Sequence, residues 1–408
     1  MQIKDNKVDV TKLMPIVQQF QGVRREIEGF VFERKDIIKM ALIAIMAKEH
    51  MLLIGPPGVA KSMIINQITQ RIQGASLFEI LMHSMVTEKD LFVSSVSTEQ
   101  EAKGSISSFR TVYHTDGATL GNSLFAFLDE IYKSNEKTRD SLLQLMNERK
   151  YSLNKKLYTS DMMAMFFASN ELPETDGTDG AAAFHDRILI RANIRPISDP
   201  ANRMKVFKTQ LAHRRNTVLN QVPNRSMMKI ADIRTLQNAV PLVYVPTEVM
   251  ERLVDLKEKV SQDLEIYISD RRLERTLTLL QARALLDGRN EVERGDLTLA
   301  RFVFWTDTDH YDKVESLVRN NVLTPEERRL RDIKSAAFEL VQAAQKTISD
   351  GDLWSIGISE EMKGIQGCLQ ELNEIKQRSN KQPIKNEAQK LLTSIVTEQK
   401  ELLDAQSK

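Results

Sequence analysis

Cysteine is almost absent from this chain: Cys368 stands alone among 408 residues. A single thiol closes no internal bridge, which excludes a disulfide-stapled scaffold and points to a reducing compartment. Charge of one sign is missing too. Lys and Arg number 57 against 56 Asp and Glu, a formal net charge of +1, so no broad field draws the protein to nucleic acid or to an anionic membrane. Nowhere do eighteen apolar residues run together, and the opening MQIKDNKVDVTKL has no apolar stretch of signal-peptide length. A cytoplasmic protein without membrane spans is expected. His50, His83, His114, His185, His213 and His310 lack the spacings that zinc ligation requires, so ordinary core or surface roles are expected of them.

What is there is a globular composition, 41% hydrophobic and 28% charged, in a chain long enough for two or three cores. Met51 to Ile54, Leu124 to Leu128 (LFAFL) and Met162 to Ala168 (MMAMFFA) are apolar on every residue, as strands of a parallel sheet covered on both faces must be. Helical patterns such as IIKMALIAIMA and KTRDSLLQLMNER alternate with them, predicting an α/β domain that closes near Arg195 and Pro196. Beyond it helices take over, with a 3.6-residue repeat over Asp270 to Leu286 and Gly288 as its stop. After Trp305, Thr324-Pro325-Glu326-Glu327 reads as a capping box opening a helix on Ile333, Ala337, Val341, Ala344 and Ile348. Two more amphipathic helices follow, on Met362, Ile365, Leu369 and Leu372, then on Ile384, Ala388, Leu391, Ile395 and Leu402, with Lys376 to Pro383 as a turn.

Chemistry concentrates in a few phrases. Gly55-Pro56-Pro57-Gly58-Val59-Ala60-Lys61-Ser62 follows a strand and precedes a helix that continues with Met63. This is a Walker A loop: backbone N–H groups freed by the turn wrap a phosphate chain, Lys61 reaches the outer phosphates and the Ser62 hydroxyl holds Mg²⁺. The generic pattern has glycine where Ala60 stands, and right-handed helical geometry is expected there, which alanine suits. Asp129 leaves the LFAFL strand where it can orient the metal's water shell, and Glu130 beside it can polarise an attacking water. Asn170 ends the MMAMFFA strand at the same sheet edge, placed to hold that water. Arg187, in FHDRILIR, ends a helix before an apolar strand, a position from which it can complete a neighbouring subunit's site. Arg271 and Arg272 occupy the first turn of a helix, where the dipole disfavours cations; a nucleotide phosphate, or Asp270 and Glu274, would answer them.

GPPGVAKS, FLDEIYKSNEKTRDSLLQLMNERKYS, ASNELPE, FHDRILIR and ISDRRLERTLTLLQARALLDGRNEV together resemble the MoxR family of AAA+ ATPases, most closely its RavA (regulatory ATPase variant A) branch. The likeness covers roughly residues 20 to 310, and five ordered motifs are far more specific than one P-loop. It implies an AAA+ α/β core over 1–198, an all-α lid over 199–309 and a C-terminal three-helix region over 310–408. It also implies Lys61 and Ser62 as phosphate and Mg²⁺ ligands, Asp129 and Glu130 as the Walker B pair, Asn170 as sensor one, Arg187 as arginine finger and Arg271 as sensor two. Phe32 matches the aromatic that packs on adenine in the RavA branch. The family implies ATP-driven hexameric rings acting like chaperones on protein complexes with a von Willebrand A-domain partner. About one hundred residues follow the lid, too few for the small β-rich insertion with which the RavA branch docks a lysine decarboxylase. Leu81 to Phe92 and Lys103 to Phe109 fall where loops of this family face the ring axis, and serve equally as plain connectors. A nucleic-acid motor or loader and a chelatase motor subunit are the rival readings; against the first stand the balanced charge and the lack of a basic-aromatic tract.

Overall fold

The computed structural model describes all residues except 1, 2, 5, 6, 104, 105, 174–180, 219–226, 350–355, 380, 381, 407 and 408, and within some helices and strands only the backbone course. The chain divides into two compact units, Met1–Glu315 and Ser316–Lys408.

The first unit is built on five parallel strands: β1 (Met51–Ile54), β2 (Leu77–Leu81), β3 (Phe125–Asp129), β4 (Ala164–Ser169) and β5 (Ile190–Asn193), in the order β5-β1-β4-β3-β2. The register sets Met51 beside both Phe166 and Ile190, and Phe125 beside both Ala164 and Leu77. Every residue of β1 and β4 is buried, because helices cover both faces of the sheet's centre. Strand β2 lies at an edge, and its residues are half-buried or exposed.

In chain order the helices are α1 (Met14–Glu28), α2 (Lys35–Ala47), α3 (Lys61–Thr69), α4 (Glu136–Glu148) and α5 (Ala181–Arg187). After β5 come α6 (Pro200–Val218), α7 (Ile230–Ala239), α8 (Thr247–Leu264), α9 (Asp270–Leu286) and α10 (Thr308–Val322), in which the first unit ends. Helix α2 is buried almost all round, since it packs against α1, α7 and α9 as well as the sheet. Helix α9 stops as its sequence demands: Gly288 follows it at φ 78°, and its N–H returns to Leu285 O. Antiparallel pairs outside the sheet include a short one, Ile3–Lys4 with Lys7–Val8, and two longer hairpins, Ser95–Lys103 with Ile106–His114 and Lys150–Leu153 with Lys156–Thr159. The candidate axis-facing stretch Lys103 to Phe109 is the tip of the first hairpin; Gly104 and Ser105 lie outside the described residues. Leu81 to Phe92 ends in a short helix whose Leu91 and Phe92 are buried, while Leu81 and Met85 are exposed.

The second unit is a three-helix bundle of α11 (Pro325–Ser349), α12 (Ile356–Arg378) and α13 (Gln382–Gln406). The capping box forms: Thr324 N donates to Glu327 Oε2 at 2.7 Å and Glu327 N to Thr324 Oγ1 at 3.2 Å. Ile333, Ala337, Val341 and Ala344 meet Ile365, Leu372, Ile384, Ala388, Ile395 and Leu402 in one core; burial of each large aliphatic among them is worth about 2 kcal/mol. The Ile348 side chain lies outside the described residues. No described helix is long and apolar enough to cross a membrane.

Candidate active site

Parallel strands send all their carboxyl ends to one edge, and four of the singled-out residues meet there. The loop after β1 turns at Gly55, φ 156°, where a Cβ would lie 2.2 Å from Ile194 O; only glycine lets the loop pass so close. At Gly58, φ 82°, a Cβ would meet nothing within 4 Å, so the loop opens on free space while Val59 is buried beneath it. Pro56, Pro57 and Gly58 are exposed, as are Ser62 and Met63 in the first turn of α3, where helix N–H groups have no intrahelical partner. Ala60 departs from expectation: it caps α3 in the left-handed region, φ 71° and ψ 28°. Alanine is strained there by about 1–2 kcal/mol, so the usual glycine is replaced at a cost.

Lys61 Nζ, buried, donates to Gly55 O at 2.6 Å, Ser169 O at 3.2 Å and Asn170 Oδ1 at 2.6 Å. Burial pushes its ammonium below the usual lysine value, with Asp129 and Glu130 pulling the other way. Asn170 Nδ2 in turn donates to Glu130 Oε1 at 2.5 Å, and Lys133 lies 3.4 Å from the other oxygen of Glu130. Glu130 is itself left-handed, φ 55°, and its N–H bonds Asp129 Oδ1 at 3.0 Å. Lys61, Glu130 and Asn170 thus form one hydrogen-bonded cluster with Asp129 at its side. The arrangement can grip an anion through Lys61 and the loop, and hold a carboxylate oriented by an amide.

Phe32 reaches this edge indirectly. It is half-buried in a loop that Arg34 and Glu33 strap to the chain after β5: Arg34 Nη2 donates to Arg195 O at 2.5 Å, and Glu33 accepts from Ser198 N, Asp199 N and Asn202 Nδ2 at 2.9 to 3.1 Å. Burial raises the Glu33 carboxyl, but those hydrogen bonds outweigh it and hold it low. Ile194, the residue before Arg195, is the one that touches Gly55.

Arg187 and Arg271 lie elsewhere. Arg187 ends α5 just before β5 begins, and Ile190 N bonds His50 O, the residue preceding β1. Both belong to the amino-terminal edge, which β1 separates from the Lys61 edge by roughly 13 Å of strand. Helix α9 packs against that edge. Arg275 pairs with Glu49 and donates to Arg187 O at 3.2 Å, Arg272 pairs with Asp186 at 2.7 Å, and Arg271 donates to Asn147 Oδ1 at 2.8 Å near the end of α4. Asp270 does not answer the first-turn arginines, for it pairs with Lys257 at 2.7 Å.

Residues 18–238 match the profile of the MoxR domain in the MoxR-vWA-beta-propeller ternary systems, and residues 248–318 match that of an AAA lid domain. The chain belongs to the MoxR family of AAA+ ATPases. This MoxR protein is 35% identical to an uncharacterized protein of Methanocaldococcus jannaschii over 294 residues, 72% of either chain. It is 25% identical to the chaperone MoxR1 of Mycobacterium tuberculosis over 171 residues, 41% of this chain and 42% of that one. In fold it is similar to a solved Cytophaga hutchinsonii protein assigned as an ATPase, with a TM-score of 0.59 and 18% identity over 77% of this chain and 97% of the other.

Around the arginine edge of this MoxR protein lie motif residues to which the sequence assigned no role. Arg191, fully buried, donates to His185 O at 2.7 Å and to Trp305 O. His185, 6% exposed, bonds the Tyr132 hydroxyl through Nδ1 at 2.5 Å and Thr306 O through Nε2 at 3.1 Å. Burial, then Arg191 and Arg272, push its imidazole well below the usual histidine value. Tyr132 lies inside FLDEIYK and His185 inside FHDR, but nothing local shows that they bond, since the partners are 53 to 121 residues apart.

Proposed function

We propose that this MoxR-family protein is a Mg²⁺-dependent ATPase that closes into a ring, with hexamers as the working form, and remodels protein complexes in the cytoplasm. The observation that carries this reading is the division of its charged residues between two edges of one sheet. Lys61, Asp129, Glu130 and Asn170 share one edge while Arg187 and Arg271 share the other, so one protomer cannot bring both sets to one triphosphate. A head-to-tail neighbour supplies the missing set, and such heterologous contacts make a ring when their rotation closes.

The site suits its substrate chemically. The open face at Gly58 admits phosphate oxygens to the loop's N–H groups, and a phosphate would replace Gly55 O and Asn170 Oδ1 as acceptors for Lys61. Phe32 is assigned to the adenine, with Gly55, Pro57, Gly58, Val59, Ala60 and Met63 shaping the loop around the phosphates. Ser62 and Asp129 would hold Mg²⁺, which supplies charge neutralisation on the phosphate oxygens. Asn170 orients Glu130, and Glu130 draws a proton from the attacking water. Arg187 and Arg271 of the neighbour meet the charge that develops on the transferred group.

The motif likeness supports a place near the RavA branch, and the matched profile's name supports a von Willebrand A-domain partner with a β-propeller protein as the third member. Affinity capture of a Glu130→Gln variant with ATP, followed by mass spectrometry, tests the whole reading. A trapped oligomer carrying a von Willebrand A-domain protein is expected. Monomer alone, or co-purifying DNA, contradicts it.

A further inference from the structure

Glu130 and Tyr132 share one rigid turn. Lys133 N bonds Glu130 O at 2.9 Å, Ser134 N and Oγ return to Ile131 O at 3.2 and 2.5 Å, Arg139 Nη1 bonds Ser134 O, and Ile131 is fully buried. From this turn the Tyr132 hydroxyl crosses to His185 Nδ1, two residues before Arg187 in α5. His185 Nε2 bonds Thr306 O. One tautomer satisfies both bonds: Nε2–H donates to the carbonyl, and Nδ1 accepts from tyrosine. The imidazole is also kept neutral by burial and by Arg191 and Arg272, so this direction of donation holds at neutral pH.

Arg191, Arg272 and Arg275 also hold the end of α5, but they come from β5 and α9. Tyr132 alone among these anchors comes from the turn that carries Glu130. We propose that Tyr132 and His185 are a positioning pair, through which the turn bearing Glu130 in a protomer's own site sets the Arg187 that the same protomer offers to its neighbour's triphosphate. The inference rests on the shared-site reading and deepens it, because it makes one protomer's site part of what aligns the next.

The test uses full-length chains with ATPase as the readout. Mixing a Glu130→Gln protomer with an Arg187→Ala protomer leaves as live sites only those that take Glu130 from the second chain and Arg187 from the first. Adding Tyr132→Phe to the Glu130→Gln chain should cut the activity of the mixture about tenfold in kcat, with KM for ATP unchanged. Adding it to the Arg187→Ala chain should change nothing, since that chain's Tyr132 positions a residue already removed. A merely structural role lowers activity from either chain and would overturn the proposal, as would no loss from both. Removing one partner of a buried hydrogen bond leaves the other unsatisfied, so the paired change Tyr132→Phe with His185→Leu is made in parallel and should give the same one-sided loss. If the parent mixture shows no activity while each chain binds ATP and a tag on one shows that the two co-assemble, the shared-site reading fails, and this inference falls with it; if the parent mixture is active and the loss is two-sided or absent, this inference alone fails.

Discussion

The two edges of the central sheet carry the same kind of residue to different ends. At the carboxyl edge, Lys61 is a buried cation with no ion-paired carboxylate among the described residues; it rests on two backbone carbonyls and an amide, all neutral acceptors that a phosphate can displace. At the amino edge, Arg272 and Arg275 are committed to Asp186 and Glu49, and those pairs hold α9 against the end of α5 and the chain entering β1. The first edge holds a cation on exchangeable partners, and the second is a framework of ion pairs around Arg187 and Arg271. Cations that are ion-paired within their own chain build shape, whereas those resting on displaceable neutral partners are the ones left to meet a ligand.

Substitutions should separate the edges. Arg187→Ala is expected to lower kcat by about 10³ with ATP affinity of the isolated chain unchanged, whereas Lys61→Ala at the other edge should remove ATP binding itself; calorimetry beside a phosphate-release assay distinguishes them. Glu130→Gln should lose turnover on the order of 10² to 10³-fold and still bind ATP.

Acid should act on the amino edge first. His50 and His185 are both buried with pKa values well below 6.5, chiefly through desolvation. The unfolded chain therefore binds protons that the folded one refuses, so stability is complete above about pH 6.5 and falls as pH drops below it, by up to about 1.4 kcal/mol per unit for each histidine. Denaturant titrations at pH 7.5 and 5.5 should show this loss, and a His185→Gln variant should halve it. The smallest effect belongs to the carboxyl edge: Ala60→Gly should raise unfolding free energy by about 1 kcal/mol by relieving a left-handed alanine, after the added freedom of the unfolded chain is subtracted.

The carboxyl edge was largely legible in the sequence because its residues follow one another on apolar strands: the loop after Met51–Ile54, Asp129-Glu130 after LFAFL, and Asn170 after MMAMFFA. The parallel core, the helical region after it and the Thr324 capping box followed from periodicity and cap chemistry for the same local reason. What failed to show was non-local or irregular. Strand β2 hides as an edge strand of mixed exposure. The Ser95–His114 hairpin is polar along SVSTEQEAK, and the second hairpin turns at Asn154-Lys155 without the glycine that would mark it. Ala60 is helical in pattern yet left-handed in place. At the amino edge, Arg272 finds Asp186 and Arg271 finds Asn147, 86 and 124 residues away, where local spacing offered Asp270 and Glu274.

The central claim is that one catalytic site is assembled from two chains, and complementation measures it directly. Glu130→Gln and Arg187→Ala proteins, each inactive alone, should regain ATPase activity when mixed, rising to a maximum near equal proportions. Silence at every ratio, with co-assembly of the two proteins demonstrated by a tag on one of them, would show that both edges serve the same chain and that the account is wrong.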